Sequence, residues 1–273
     1  MKRQDDIKTL LSALLALTKR LVTRILQLIA SSLPNRCMLC QQLIDQTGYQ
    51  GVLAQYHLPQ MTLTGVCQTC MISSLYQQEV CLGCAKPMQV FQQYCGQCQV
   101  TEPTLVITPC SYHQGAAPLI TAIKYHQQLA PLDALVVALA MRIKGLEQHG
   151  LLRLPQALVP VPLHPNRLRQ RGYNQALLVA MSLSQMLSIP VLDKALIKVI
   201  DTPPQAGLDG KARRKHNQNA FTLTDNPSVQ RVAIIDDVLT TGSTTDSIVQ
   251  LYAQHGVHCQ VWCLARAEAP NLR

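Results

Sequence analysis

The apolar positions change their period twice along the chain. From Ile7 to Ile29, the residues Ile7, Leu10, Leu14, Leu17, Leu21, Ile25 and Leu28 recur at helical spacing, with Lys8, Ser12, Lys19, Thr23 and Gln27 on the opposite side. This predicts an amphipathic helix ended by Pro34. Its basic polar face fits docking on its own protein, or contact with a partner or an anionic membrane. From Arg36 to about Thr104 little periodicity remains, and from Leu105 onward helical and strand-like patterns alternate. Residues 119–146 read as a helix broken near Pro131, ALVPVPL (157–163) as a buried strand, and YNQALLVAMSLSQMLS (173–188) as a helix. VLDKALIKVI (191–200) follows as extended chain, RVAIIDD (231–237) as a second buried strand, STTDSIVQLYAQHG (243–256) as a helix opening at about Thr245, and VHCQVWCLA (257–265) as a closing strand. Strands alternating with helices predict an α/β fold with a mainly parallel sheet.

The middle segment is rich in Gln, Gly and Pro and cannot build a core alone. Eight of the eleven cysteines fall there as four CxxC pairs: Cys37/Cys40, Cys67/Cys70, Cys81/Cys84 and Cys95/Cys98. Each pair places two thiolates on one tight turn, and two such turns supply the four ligands of tetrahedral zinc. Two closed, structural zinc-ribbon sites are expected, with a redox CxxC or an iron–sulfur cluster as alternatives. Pairing in chain order and a crossed pairing both satisfy the count. Cys110, Cys259 and Cys263 stand alone and read as buried core residues. The expected division is therefore an amphipathic helix over 1–34, a double zinc-ribbon module over 35–104 and an α/β domain over 105–273.

Composition refines this. At 48% apolar and 14% charged residues the chain is too apolar for disorder. LLSALLAL is followed by Lys19, Arg20 and Arg24 without a clear cleavage site, and no apolar run reaches the roughly 18 residues of a membrane span. Paired cysteines without an export signal then point to a reducing cytoplasm. The net charge of +9 is uneven, with clusters at Arg167/Arg169/Arg171 and Lys211/Arg213/Arg214/Lys215. Such clusters suit phosphate, pyrophosphate or a nucleic-acid backbone, or are solvated surface.

VAIIDDVLTTGSTT (232–245) carries the candidate chemistry. In open α/β sheets ligands bind beyond the carboxyl ends of strands, which would expose Asp236 and Asp237 as a strand end. Thr240, Thr241, Gly242, Ser243 and Thr244 then lead into a helix, collecting backbone N–H groups, hydroxyls and the positive helix end at one point. Carboxylates repel phosphate, so they should face sugar hydroxyls or Mg²⁺-linked oxygens. A ligand with a 5-phosphate and vicinal ribose hydroxyls fits both halves. The competing reading is an ordinary strand-to-helix turn with incidental acids. A Walker loop is excluded, since no GxxxxGK[ST] occurs. Tyr252 and Trp262 are candidates for base stacking or for the core.

This stretch resembles the phosphoribosyl-pyrophosphate (PRPP) signature of type I phosphoribosyltransferases. Together with the cysteine pairs, VPVPLHPNRLRQRGYNQA, DTPPQAGLDGKARRKHNQNAF and the strand ending LAR, it makes residues 25–266 similar to the ComF/GntX family of competence and DNA-utilisation proteins. The resemblance implies a type I phosphoribosyltransferase-like sheet behind an N-terminal zinc ribbon. It implies ribose hydroxyls on Asp236 and Asp237, the 5-phosphate on Thr240 to Thr244, and pyrophosphate near Arg167, Arg169 and Arg171. Segment 201–221 would be a mobile hood over the substrate, although Lys198 and Ile200 stand where the family usually carries more arginine. PRPP with Mg²⁺, single-stranded DNA and competence or DNA-processing proteins are the implied partners. Two functions follow: phosphoribosyl transfer to an acceptor that no motif identifies, or a non-catalytic role in handling single-stranded DNA. Aromatic residues at 4% make a thin stacking platform for the second.

Overall fold

The computed structural model describes residues 35–45, 47–90, 92–100, 103–201 and 220–267. The expected helix over 7–29, the basic cluster at 211–215 and most of the 201–221 hood lie outside the described residues. The strands are β1 (Leu105–Ile107), β2 (Cys110–Ser111), β3 (Ala157–Pro160), β4 (Leu196–Lys198), β5 (Phe221–Leu223), β6 (Arg231–Leu239) and β7 (His258–Arg266). The helices are α1 (Thr47–Gln55), α2 (Gln68–Ser74), α3 (Gly96–Gln99), α4 (Ala117–Tyr125), α5 (Leu132–Gln148), α6 (Pro165–Arg171), α7 (Gln175–Leu187) and α8 (Ser243–Ala253).

Five strands form one parallel sheet in the order β1–β7–β6–β3, with β2 continuing past β1 along the same edge of β7. The expected parallel α/β sheet is therefore present. The central strand β6 is flanked on both sides, so its β-branched run is buried on both faces. Val232 and Ile234 point to one face, where they pack with Ile248 and Tyr252 of α8. Ala233 and Ile235 point to the other, with Leu183 of α7 and Leu139 of α5. Tyr252 and Trp262 are both sunk in these cores, which removes them as stacking platforms.

Several features differ from the sequence reading, among them the end of β3 at Pro160 instead of residue 163. β6 runs past its two acids to Leu239, because Asp236, Val238 and Leu239 still pair with β7. The extended 191–200 stretch forms only β4, which joins β5 in a separate antiparallel pair, while Val191 makes one parallel bridge to Leu158. Of the lone cysteines, Cys110 and Cys263 are buried as expected, but Cys259 is half-exposed because its strand begins at the sheet end.

The cysteines assemble as Cys37/Cys40/Cys67/Cys70 and Cys81/Cys84/Cys95/Cys98, with the sulfurs of each group within 4.8 Å of one another. Chain order, not a crossed arrangement, pairs the turns. None of the eight forms a disulfide. Sulfurs about 2.3 Å from a tetrahedral ion lie roughly 3.8 Å apart, and the Cys40–Cys67 and Cys84–Cys95 sulfurs stand at 3.7 and 3.8 Å. Each group can hold a structural metal ion. The segment also shares the main core: Leu53, Leu63 and Val66 pack in one cluster with α5. Further ties are a Val106 N–H bond to the Leu82 carbonyl at 2.6 Å and an Arg266 bond to the Cys84 carbonyl at 3.0 Å.

Candidate functional site

Adjacent strands β3 and β6 send their following helices to opposite faces of the sheet. After β3 the chain enters α6 and then α7, which covers the face bearing Ala233 and Ile235; after β6 it enters α8 on the other face. The crevice left where the connections diverge is the usual ligand position of an open sheet. Here it is a cavity of about 300 Å³.

Asp236 and Asp237 both line it, half-buried rather than exposed as a strand end. The Asp237 carboxylate pairs with Lys124 at 2.9 Å, and the Asp236 carboxylate accepts the Asp237 N–H at 2.8 Å. Loss of water and the neighbouring Asp237 charge push the Asp236 carboxyl up to about 7, against the pull of Lys124 and Lys198. Burial works to lower Lys124, yet the two acids, Asp237 foremost, hold it above the ordinary lysine value.

The turn after β6 owes its shape to Gly242, which caps α8 at φ +81°. A non-glycine residue there would be strained. The helix begins at Ser243, two residues before the expected Thr245. Thr240, Gly242, Ser243 and Thr244 line the cavity. Thr241 does not; its hydroxyl donates to the Ser243 hydroxyl at 3.1 Å and so orients it. Thr245 donates to the Gly242 carbonyl at 2.8 Å, fixing the turn from below.

On the opposite wall α6 presents Arg167 and Arg171, but not Arg169. Helix phase explains the selection, since residues four apart share a face and a residue two away points elsewhere. Arg169 is exposed and bonds Asn166, whereas Arg171 donates to the Gln175 Oε1 at 2.7 Å and lies 5.9 Å from the Tyr125 ring centre. Gln175 is buried, with its Nε2 lacking a partner, and Lys198 completes the basic lining. Asn174 caps α7 and holds the loop after β3 by donating to the Val161 carbonyl at 3.0 Å. Four cations thus face two carboxylates, a balance suited to a polyanion carrying hydroxyls.

Competence protein F of Haemophilus influenzae is 36% identical over 210 residues, covering 74% of this chain and 91% of that protein. The chain belongs to the competence protein F family. The DNA utilization protein YhgH of Escherichia coli K12, 31% identical over 205 residues, covers the same 74% share of this chain and 90% of its own length. No protein-family model matches the chain. A purine phosphoribosyltransferase from Pyrococcus horikoshii is 20% identical, covering 50% of this chain and 72% of its own; its TM-score of 0.27 is too low to carry an argument.

In this competence protein F family member, the acids, four of the five turn residues and two of the three arginines predicted from sequence converge on one cavity. Lys124, Asn174 and Gln175 were not predicted. A single lysine among the apolar residues of α4 was the available signal for Lys124. Among the described residues, no helix is long and apolar enough to cross a membrane.

Proposed function

We propose that this protein binds PRPP with Mg²⁺ in the cavity between β3 and β6, in the service of DNA uptake or use. The observation that supports it most is the meeting of two carboxylates, a glycine-capped hydroxyl turn and a two-arginine wall at one strand crossover. The 5-phosphate sits on the Thr240–Thr244 turn, the ribose hydroxyls on Asp236 and Asp237, and the pyrophosphate toward Arg167 and Arg171. Mg²⁺ enters with the pyrophosphate and neutralises part of its charge. The names of the relatives, competence and DNA utilization, support the cellular role. The same reading takes the protein as cytoplasmic, divided into a double zinc-ribbon module over 35–104 and a phosphoribosyltransferase-like domain over 105–273, with two structural zinc ions in its cysteine groups.

A second reading, phosphoribosyl transfer, is favoured by an adjoining hollow of about 230 Å³ lined by Tyr125, Gln127 and Gln170 together with Lys124, Arg167 and Arg171. An acceptor lodged there would lie beside the pyrophosphate end. The chain's own residues would position the two ligands and screen the charge that develops at the sugar.

Asp237→Ala should weaken PRPP binding by about 1.5–3 kcal/mol, the worth of a hydrogen bond to a charged group. Calorimetry on the folded variant measures this, and unchanged affinity contradicts the role. Binding should also depend on pH. Because Asp236 is raised to about 7, acidification below that value protonates it and removes an acceptor of ribose hydroxyls. Affinity should therefore rise from pH 5.5 to 8, and Asp236→Asn should flatten the curve. The contribution of Asp236 to the stability of the ligand-free protein should run the opposite way. Its native state holds a proton that the unfolded chain releases near 3.8, so the contribution of Asp236 to stability falls as pH rises from about 4 to about 7. The difference between wild-type and Asp236→Asn thermal melts across that range checks the sign.

A further inference from the structure

We infer that a second cavity, between α5 and the cysteine segment, binds a small oxyanion carried on an apolar, ring-sized body. This cavity has a volume of about 550 Å³ and shares no lining residue with the PRPP cleft. One wall is a stripe of α5 at helical spacing, Ala138, Met141, Arg142, Gly145 and Leu146, continued by its C-cap His149. The facing wall comes from the cysteine segment and includes Tyr76, Glu79, Val80 and Leu82. The volume is that of a small-molecule site, and the mixture of an apolar floor with few polar groups is typical of one.

Arg142 gives the site its chemistry. Its guanidinium is half-buried, and its Nε is fully buried with no hydrogen-bond partner. A buried donor left unpaired is costly, and a charged one more so. Burial draws Arg142 below the ordinary arginine value, against the charges of Glu79, Tyr76 and Cys110. Glu79 attracts it across the cavity, but among the described residues the two do not close an ion pair. Arg142 lines the cavity, where its terminal Nη groups can donate charge-assisted bonds to a carboxylate or phosphate. The apolar floor of Val80, Leu82, Met141 and Leu146, with the Tyr56 ring beside Gly145, then takes the body of the ligand.

The full-length protein can be titrated with anilinonaphthalene sulfonate, a fluorescent aromatic anion. One saturable site is expected, displaced by benzoate or by phenyl phosphate but not by neutral benzamide. Which of the two displaces at lower concentration distinguishes carboxylate from phosphate as the natural head group. Arg142→Met should weaken the probe roughly tenfold or more. Glu79→Gln, on an exposed side chain that should not disturb folding, should strengthen it by about two- to threefold by removing a repelling charge. PRPP affinity should be unchanged in both. Absence of a saturable site, equal displacement by benzamide, or a Glu79→Gln affinity equal to wild type would overturn the inference.

Discussion

Gly242→Val should abolish measurable PRPP binding while leaving the sheet and the metal content intact. Two effects act together. At φ +81° a β-branched residue is strained by about 1–3 kcal/mol, so the turn would relax into another conformation. That relaxation would pull apart the hydrogen-bonded set of Thr241, Ser243 and Thr245, which is built on the Gly242 backbone and its neighbours. The valine methyl groups would crowd the N–H groups that must reach the phosphate. An affinity loss of at least about a hundredfold is expected, larger than for Asp237→Ala, because the whole anion site is lost rather than one acceptor. Calorimetry with PRPP and Mg²⁺, with circular dichroism as the folding control, measures it. A variant that binds within about threefold of wild type would show that the turn does not hold the phosphate.

Why the turn could be read from sequence while part of its cavity could not follows from the range of the interactions. A glycine flanked by hydroxyls after a buried strand is local chemistry, complete within residues 232–245. The CxxC turns are equally local, and only their pairing needed the fold. Arg169 was counted with its neighbours because the helical phase of residues 165–171 decides which arginines share a face, and HPNRLRQR alone does not reveal it. Lys124 escaped because its partner Asp237 lies 113 residues further on and meets it only when α4 crosses the end of β6. The acids looked like a strand end because charge usually stops a buried strand. Continued pairing with β7 carries the strand to Leu239 instead, and this half-buries both carboxylates. That burial produces the raised Asp236, which no spacing rule contains.

Cys81→Ser should unfold the second cysteine group and lower the melting temperature of the whole chain. The protein as isolated should carry two zinc ions, and the variant one. Metal binding supplies most of the folding energy of such sites, roughly 10–16 kcal/mol of apparent binding energy for small zinc modules. Three sulfurs and a hydroxyl would retain only part of it. The damage should spread, because Leu82 accepts the Val106 N–H and Cys84 accepts Arg266 from β7. Loss of these contacts would free the edge of the parallel sheet at β1 and expose the Arg266 guanidinium, which also bonds the Leu239 carbonyl at 3.0 Å, just before the Gly242 turn. Metal analysis and thermal melts on wild type and variant test this. Fewer than one zinc per wild-type chain, an iron–sulfur absorption band, or an unchanged melt would contradict it.

PRPP binding in the cavity between β3 and β6 is the proposal on which the other expectations for this cavity rest. Calorimetric titration of the full-length protein with PRPP, with and without Mg²⁺, tests it most directly, run beside single-stranded DNA at two salt concentrations. Saturable PRPP binding at one site per chain is expected, weakened when Mg²⁺ is withheld and lost in Gly242→Val. Folded wild-type protein that ignores PRPP but binds single-stranded DNA, with affinity falling steeply as salt rises, would contradict it.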